Sequence, residues 1–410
     1  MQDMIAAPGM LIAEHSFDVP LDHADANGRQ IQVFAREVAA PDGLDLPFLV
    51  YFQGGPGFEA PRPTRSPSSP GWLDRALTEF RVLMLDQRGT GRSSPVGALA
   101  DLTPEEQAEY LTHFRADSIV RDAEHIRRQL GVDRWSVLGQ SFGGFCVTTY
   151  LSLAPGGLRE AFMTGGVPPL RRNVDDVYSR TYEQVLERNH QYLKRYPEDR
   201  ERLRSLHARA DAGGVTLPSG DQLTWRRFRQ LGSMLGMSDG AEHLHYILEL
   251  PFDSPAFLHD VEGAASFARN PLYAIIHEAC YADGGATRWS AQRTLPPEFH
   301  ESDLLTGEHV YPRMFEDYSA LAPLREAAEL LAEHEWPYLY DPEALAVNEV
   351  PAAAAIYSED MYVERAFSET TAREIRGFRP WVTNEYQHNG LRADGDRILS
   401  RLIDLTRGRA

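Results

Sequence analysis

"RWSVLGQSFGG", Arg134 to Gly144, decides the fold. An apolar run of strand character ends at Gln140, and Ser141 stands between Gly139 and Gly143. This is a G-x-S-x-G pattern, in which a serine occupies a sharp, strained strand-to-helix turn that exposes its hydroxyl. Residues two before and two after must be small for such a turn to close. The pattern is common by chance, so its context carries the reading. A strand precedes it, and a helix is expected from Phe145 to Leu153.

Two further apolar runs upstream end in the same way. "LPFLVYF" leads into Gly54-Gly55-Pro56-Gly57, and "FRVLMLD" leads into "QRGTGRSSP". Short apolar runs without alternation read as strands buried on both faces, as in a parallel sheet. Between the second and third runs, Ile119, Ala123, Ile126 and Leu130 recur at helical spacing, with Gly131 placed as a stop. Strand, helix, strand makes the first third of the chain α/β. Earlier still, "HSFDVPLDH" and "RQIQVFAREV" read as two strands turned at Asn27-Gly28, an antiparallel edge.

From about Arg171 to Tyr340 the sequence turns helical and charged. Tyr178, Tyr182, Val185, Tyr192 and Tyr196 trace one helical face before Pro197. Strand character returns at "VPAAAAIYSEDMYV", followed by helices at "FSETTAREIRGF" and "ADGDRILSRLIDLT". The simplest architecture is an α/β core of residues 1–168 and 346–410, a mostly parallel sheet interrupted by a helical insertion over 169–345.

Composition removes several function classes. The chain has 410 residues, 42% hydrophobic and 25% charged, as in an ordinary globular protein. A formal charge of −19 argues against nucleic acid or an anionic membrane as partner. Two cysteines, Cys146 and Cys280, exclude a disulfide framework and suit a reducing compartment. No basic start leads into an apolar core at the N-terminus, and no apolar run approaches the ~18 residues of a membrane span. The expected location is cytoplasmic. No H-E-x-x-H and no cysteine or histidine cluster with ligand spacing is present, so neither a metal nor another cofactor is expected.

Serine is a weak nucleophile at neutral pH and needs a base and an orienting acid. On this topology both follow the serine, acid first, each after a late strand. Asp360 follows "AAAAIY" with Glu359 as its local competitor, and His388 follows "RPWVTNEYQ" beside Asn389-Gly390. Fourteen histidines make any single one weak evidence, but only His388 stands after the last apolar segment. The Gly54–Gly57 loop then supplies a backbone donor to a developing oxyanion. Gly55 and Phe142 are the expected pair of N–H groups. A phosphate cradle is disfavoured, because no Lys-Ser/Thr follows the glycines. Arg88 and Arg92 are expected to hold their loop beside Asp86, and Cys146 to pack against the sheet without reacting.

The chain resembles the proline iminopeptidases, serine peptidases of the α/β-hydrolase fold. The resemblance runs through "VPLDH", "GGPG", "LDQRGTGRSSP", "GQSFGG", "EDMYV" and "QHNGLR" in order, with "LYAIIHEACY" and "LTGEHVYPRMF" in the insertion. It implies a triad of Ser141, Asp360 and His388, a helical cap over the site, and release of an N-terminal proline from peptides with a free amine. Glu278 and Glu308 match cap motifs and are expected to meet that cationic amine, since a desolvated charge needs a partner. Tyr281, Trp289 and Tyr311 are aromatic neighbours that could line a pocket for the pyrrolidine ring, but core packing is the expected role of each. One departure is Gln53, where many relatives carry histidine before the glycines. A carboxylesterase, a broader aminopeptidase and a non-catalytic binding protein on the same fold are the rival readings.

Overall fold

A computed structural model describes residues 5–410. The strands of its main sheet are β1 (Ile5–Ala7), β2 (Met10–Pro20), β3 (Gln30–Ala39), β4 (Phe48–Phe52), β5 (Arg81–Leu85), β6 (Trp135–Gln140), β7 (Leu158–Thr164), β8 (Ala352–Tyr357) and β9 (Phe378–Thr383). Their spatial order is β1-β2-β3-β5-β4-β6-β7-β8-β9. The pairs β1–β2, β2–β3 and β3–β5 are antiparallel, and every later neighbour is parallel. The antiparallel edge read from the sequence is therefore present, with Ile31 opposite Val19 in its long β2–β3 ladder.

Successive residues of the central strands point to opposite faces. Val137 packs with helix α1 (Ala116–Gln129) and helix α2 (Phe142–Leu153), through Ile119, Ala123, Ile126, Phe145 and Val147. Leu138 faces the other layer, built from Ile398, Leu399, Leu402 and Ile403 of the C-terminal helix Gly395–Thr406. With helices on both faces, an alternating strand would strand polar groups in the core, which is why these runs are continuously apolar. Helix α2 starts at Phe142, three residues before the expected Phe145.

Between β7 and β8 the chain is helical, with only two isolated β-bridges, Thr216 with Gln222 and Gly285 with Trp336. Helix α3 (Val174–Arg195) is capped by the Asn173 side chain, which accepts the Asp176 N–H. Tyr178, Tyr182, Val185 and Tyr192 form its buried face. Tyr196 falls just beyond its end and stacks on His245 at 4.0 Å. No helix among the described residues is long and apolar enough to cross a membrane.

The register places the chemistry. Phe52 pairs with Gly139, so β4 and β6 end side by side. The Gly54–Gly57 loop and Ser141 therefore leave the sheet at the same carboxyl edge. Asp360 follows β8 and His388 follows β9, at the same end of the same parallel set.

Candidate active site

Ser141 adopts φ +54° and ψ −125°, a conformation that costs a non-glycine residue energy and is held by its surroundings. Its N–H donates to the Thr164 carbonyl at 3.0 Å, and its carbonyl accepts from Gly144 at 2.7 Å. The flanking glycines have a measurable reason. A Cβ on Gly139 would sit 2.2 Å from the Gly143 carbonyl oxygen, and one on Gly143 only 2.0 Å from that of Phe52. Neither contact can relax, because both partners are backbone.

The structure brings Ser141, His388 and Asp360 together. His388 Nε2 lies 2.9 Å from Ser141 Oγ. His388 Nδ1 lies 2.8 and 3.0 Å from the two Asp360 oxygens. Asp360 Oδ1 also accepts the backbone N–H groups of Tyr362 at 2.9 Å and Val363 at 3.0 Å, which fix the carboxylate in place. Glu359, the competitor, points away: its carboxylate is about half exposed and pairs with Arg188 at 3.3 Å. Burial works against a charged His388, but the Asp360 charge and hydrogen bond, with a smaller contribution from Glu308, hold its pKa above the ordinary imidazole value.

Gly55 lies beside the nucleophile turn. A Cβ on its neighbour Gly54 would stand 2.9 Å from the Ser141 Cβ, so this loop and the serine touch. The N–H groups of Gly55 and Phe142 carry no hydrogen bond to a described residue. Gln53 supports the loop from below: its side-chain oxygen accepts from the Tyr51 hydroxyl at 2.8 Å, and its carbonyl accepts from Gln87 Nε2 at 3.0 Å.

A cleft of about 1060 Å³ opens over these groups, lined by Ser141, His388, Gly54 and Gly55 together with Glu308. Tyr273 and Tyr281 direct their hydroxyls at Glu308, each at 3.3 Å. His277 stands between them on the same face, its Nε2 3.9 Å from the carboxylate. The spacing 273, 277, 281 is one ridge of a helical turn aimed at one acid. Burial pushes Glu308 up to about 7, opposed by His388 and the two tyrosine hydroxyls and reinforced by Asp360. Burial also drops His277 to about 3, so it faces Glu308 uncharged.

Glu278 is not in this cleft. Its side chain is buried on the far side of the ridge, where Oε1 accepts the Ala291 N–H at 2.8 Å and Oε2 has no partner. Helical geometry explains the separation: residue 278 is offset from the 273–277–281 face. The two glutamates that sequence motifs grouped are thus split between the cleft and the interior.

Tyr281 and Tyr311 are core residues and Trp289 packs against the core, the role expected of all three. Tyr281 sits behind Glu308. Trp289 donates to Glu329 at 2.8 Å, and Tyr311 bonds Tyr182 at 2.8 Å; none of the three lines the cleft. Aromatic walls come from Tyr51, Phe58, Trp72, Phe267, Tyr273 and Tyr362, with Met234 and Met314 beside them. These were invisible because lining depends on how the helices fold back, not on local spacing. Arg88 pairs with Asp122, at 2.7 and 2.5 Å, not with Asp86. Asp86 is gripped instead by Arg62, at 2.8 and 2.9 Å, while Arg92 gives it only a backbone N–H. Cys146 is buried, and burial holds its thiol well above its ordinary pKa.

Residues 47–261 match the α/β-hydrolase fold family. The chain is 49% identical to a proline iminopeptidase of Aeromonas sobria, over 97% of each. It is 35% identical to a proline iminopeptidase of Aspergillus aculeatus, over 97% of this chain and 94% of that one. A proline iminopeptidase of Neisseria gonorrhoeae is 32% identical over 30% of this chain and 33% of its own length.

Proposed function

The chain belongs to the proline iminopeptidase family of α/β hydrolases, and on that premise we propose that it is a serine aminopeptidase releasing an N-terminal residue, preferentially proline, from peptides. Ser141 is the nucleophile, His388 the general base and acid, and Asp360 its orienting partner. Glu308 receives the protonated α-amine. The helical segment of residues 169–345 acts as a cap that sets this carboxylate over the core formed by 1–168 and 346–410.

The steps follow from the distances. The amine docks on Glu308 and carries the first peptide carbonyl over Ser141. His388 Nε2, already 2.9 Å from Oγ, takes the hydroxyl proton as Oγ attacks. Asp360 stabilises the imidazolium that results. The carbonyl oxygen gains negative charge and is met by the N–H groups of Gly55 and Phe142, which have no other partner to give up. His388 returns the proton to the leaving amine, and the acyl-enzyme is hydrolysed by water activated at the same nitrogen.

The observation that carries this reading is Glu308 in the same cleft as Ser141 and His388. An esterase has no need of a carboxylate there, because an ester substrate presents no cation to neutralise. The test is kcat/KM for a prolyl arylamide, its N-acetylated form and p-nitrophenyl acetate. A large preference for the free amine supports an aminopeptidase, and equal turnover of the acetylated and free substrates would replace it with a general hydrolase.

A further inference from the structure

The histidine loop is held from two sides, and only one of them belongs to the α/β core. From the core, Gly390 lies against Tyr357, where an added Cβ would stand 2.3 Å from the tyrosine hydroxyl. From the helical segment, residues 233–239 close over the loop. The His388 N–H donates to the Gly236 carbonyl at 3.2 Å. Ser238 donates twice to Asn389 Oδ1, from its backbone N–H at 2.9 Å and its hydroxyl at 2.8 Å. Asn389 is buried, so its oxygen has little water to turn to if these donors leave.

The same segment touches the acid loop. The Tyr362 hydroxyl donates to the Ser233 carbonyl, and a Cβ on Gly236 would lie 2.4 Å from the Tyr362 ring. That ring in turn meets the His388 imidazole edge to face at 4.6 Å. Residues 233–239 thus touch His388 itself and, through Tyr362, the loop that carries Asp360.

We propose that Asn389 is a positioning residue for His388, and that its clasp by Ser238 makes the triad competent only while the helical segment is seated. Losing the clasp leaves Ser141 and Asp360 where they are but frees the loop that carries Nε2. Reactive geometry is sensitive to displacements of about 1 Å, which can cost around 10²-fold in rate. This rests on the assignment of Ser141 and His388 as nucleophile and base, but adds a role to residues outside the triad and outside the amine site.

The experiment measures the rate at which a fluorophosphonate labels Ser141, with kcat and KM for a prolyl arylamide, in wild type, Ser238→Ala, Asn389→Ala and the double variant. The probe has no amine, so it reports the triad alone. Wild-type labelling that is lost in Ser141→Ala upholds the triad assignment; without it that assignment fails and the clasp falls with it. Asn389→Ala is expected to slow labelling and lower kcat together by roughly tenfold or more, with KM changed less than threefold. Ser238→Ala, which keeps the backbone donor, is expected to show a smaller loss of the same kind. Once residue 389 is alanine, adding Ser238→Ala is expected to cost less than twofold further. Wild-type labelling in Asn389→Ala with only a raised KM would make Asn389 a cleft wall and overturn the proposal. An equal cost of Ser238→Ala in both backgrounds would overturn it too, and this comparison holds even if Asn389→Ala lowers overall stability.

Discussion

Asp360 grips His388 Nδ1 with both carboxylate oxygens, at 2.8 and 3.0 Å, while the adjacent Glu359 turns outward to Arg188 at 3.3 Å. Two neighbouring acids therefore have separate jobs, and substitution separates them. Asp360→Asn keeps the shape but offers an amide where the imidazole N–H needs an acceptor, favouring the wrong tautomer. A loss of about 10⁴ in kcat is expected, by analogy with the same change in chymotrypsin-type triads. Glu359→Gln is expected to stay within about threefold of wild type, because exposed ion pairs contribute little. A large loss in Glu359→Gln, with Asp360→Asn near wild type, would reverse the assignment.

Glu308→Gln and Glu278→Gln test the split between cleft and interior. Glu308→Gln is expected to lower kcat/KM for a prolyl arylamide by roughly 10²-fold, mainly through KM, since the amine contact is made in ground and transition states alike. Turnover of p-nitrophenyl acetate is expected to change little. Glu278→Gln, outside the cleft, is expected to leave both substrates within a few fold. Parallel loss of both substrates in Glu308→Gln would show that this carboxylate only supports the fold.

Glu278 also gives a stability signature. Burial raises its pKa from 4.5 to about 7, so the folded state holds a proton that the unfolded chain has released. Stability then falls as pH climbs from 4.5 to about 7, because folded protein binds more protons across that window. Removing the charge removes this loss. The Tm of Glu278→Gln relative to wild type is expected to be higher at pH 8 than at pH 5. A difference that does not move with pH would mean that the carboxylate is solvated.

The parts of this site legible in the sequence are those whose chemistry is local. A serine on a strand-to-helix turn needs its glycines two residues away, and the 2.2 Å from a Gly139 Cβ to the Gly143 oxygen shows why no other residue fits. Acid and histidine were traceable because parallel strands deliver their loops to one edge in chain order. Glu278 misled because its motif marks a segment, whereas facing is decided by a fraction of a helical turn, and it is Tyr273, His277 and Tyr281 that point at Glu308. Arg88 was legible as a buried structural residue, but not its partner: Asp86 is two residues away in sequence, whereas the carboxylate it reaches is Asp122 on α1. Contacts between the helical segment and the loops around Asp360 and His388 carry no local pattern at all.

The pH profile joins the two halves of the mechanism. His388 must be neutral to accept the serine proton, and its pKa lies above the ordinary imidazole value, held there by Asp360 against the effect of burial. Glu308 must be ionised to meet the amine, and burial raises it to about 7. Both requirements fail as pH falls, so both lie on the acid limb of kcat/KM, which reports the free enzyme. For a prolyl arylamide the limb is expected to steepen toward a slope of two in log kcat/KM against pH. p-Nitrophenyl acetate needs only His388, and its limb is expected to keep a slope of one. The residual prolyl activity of Glu308→Gln should return to a slope of one, since glutamine does not titrate. At the alkaline end the prolyl substrate alone should decline, as an ordinary α-amine loses its proton near pH ~8. Identical slopes for amide and ester in the wild type would remove Glu308 from amine binding and leave His388 as the single group that sets the acid limb.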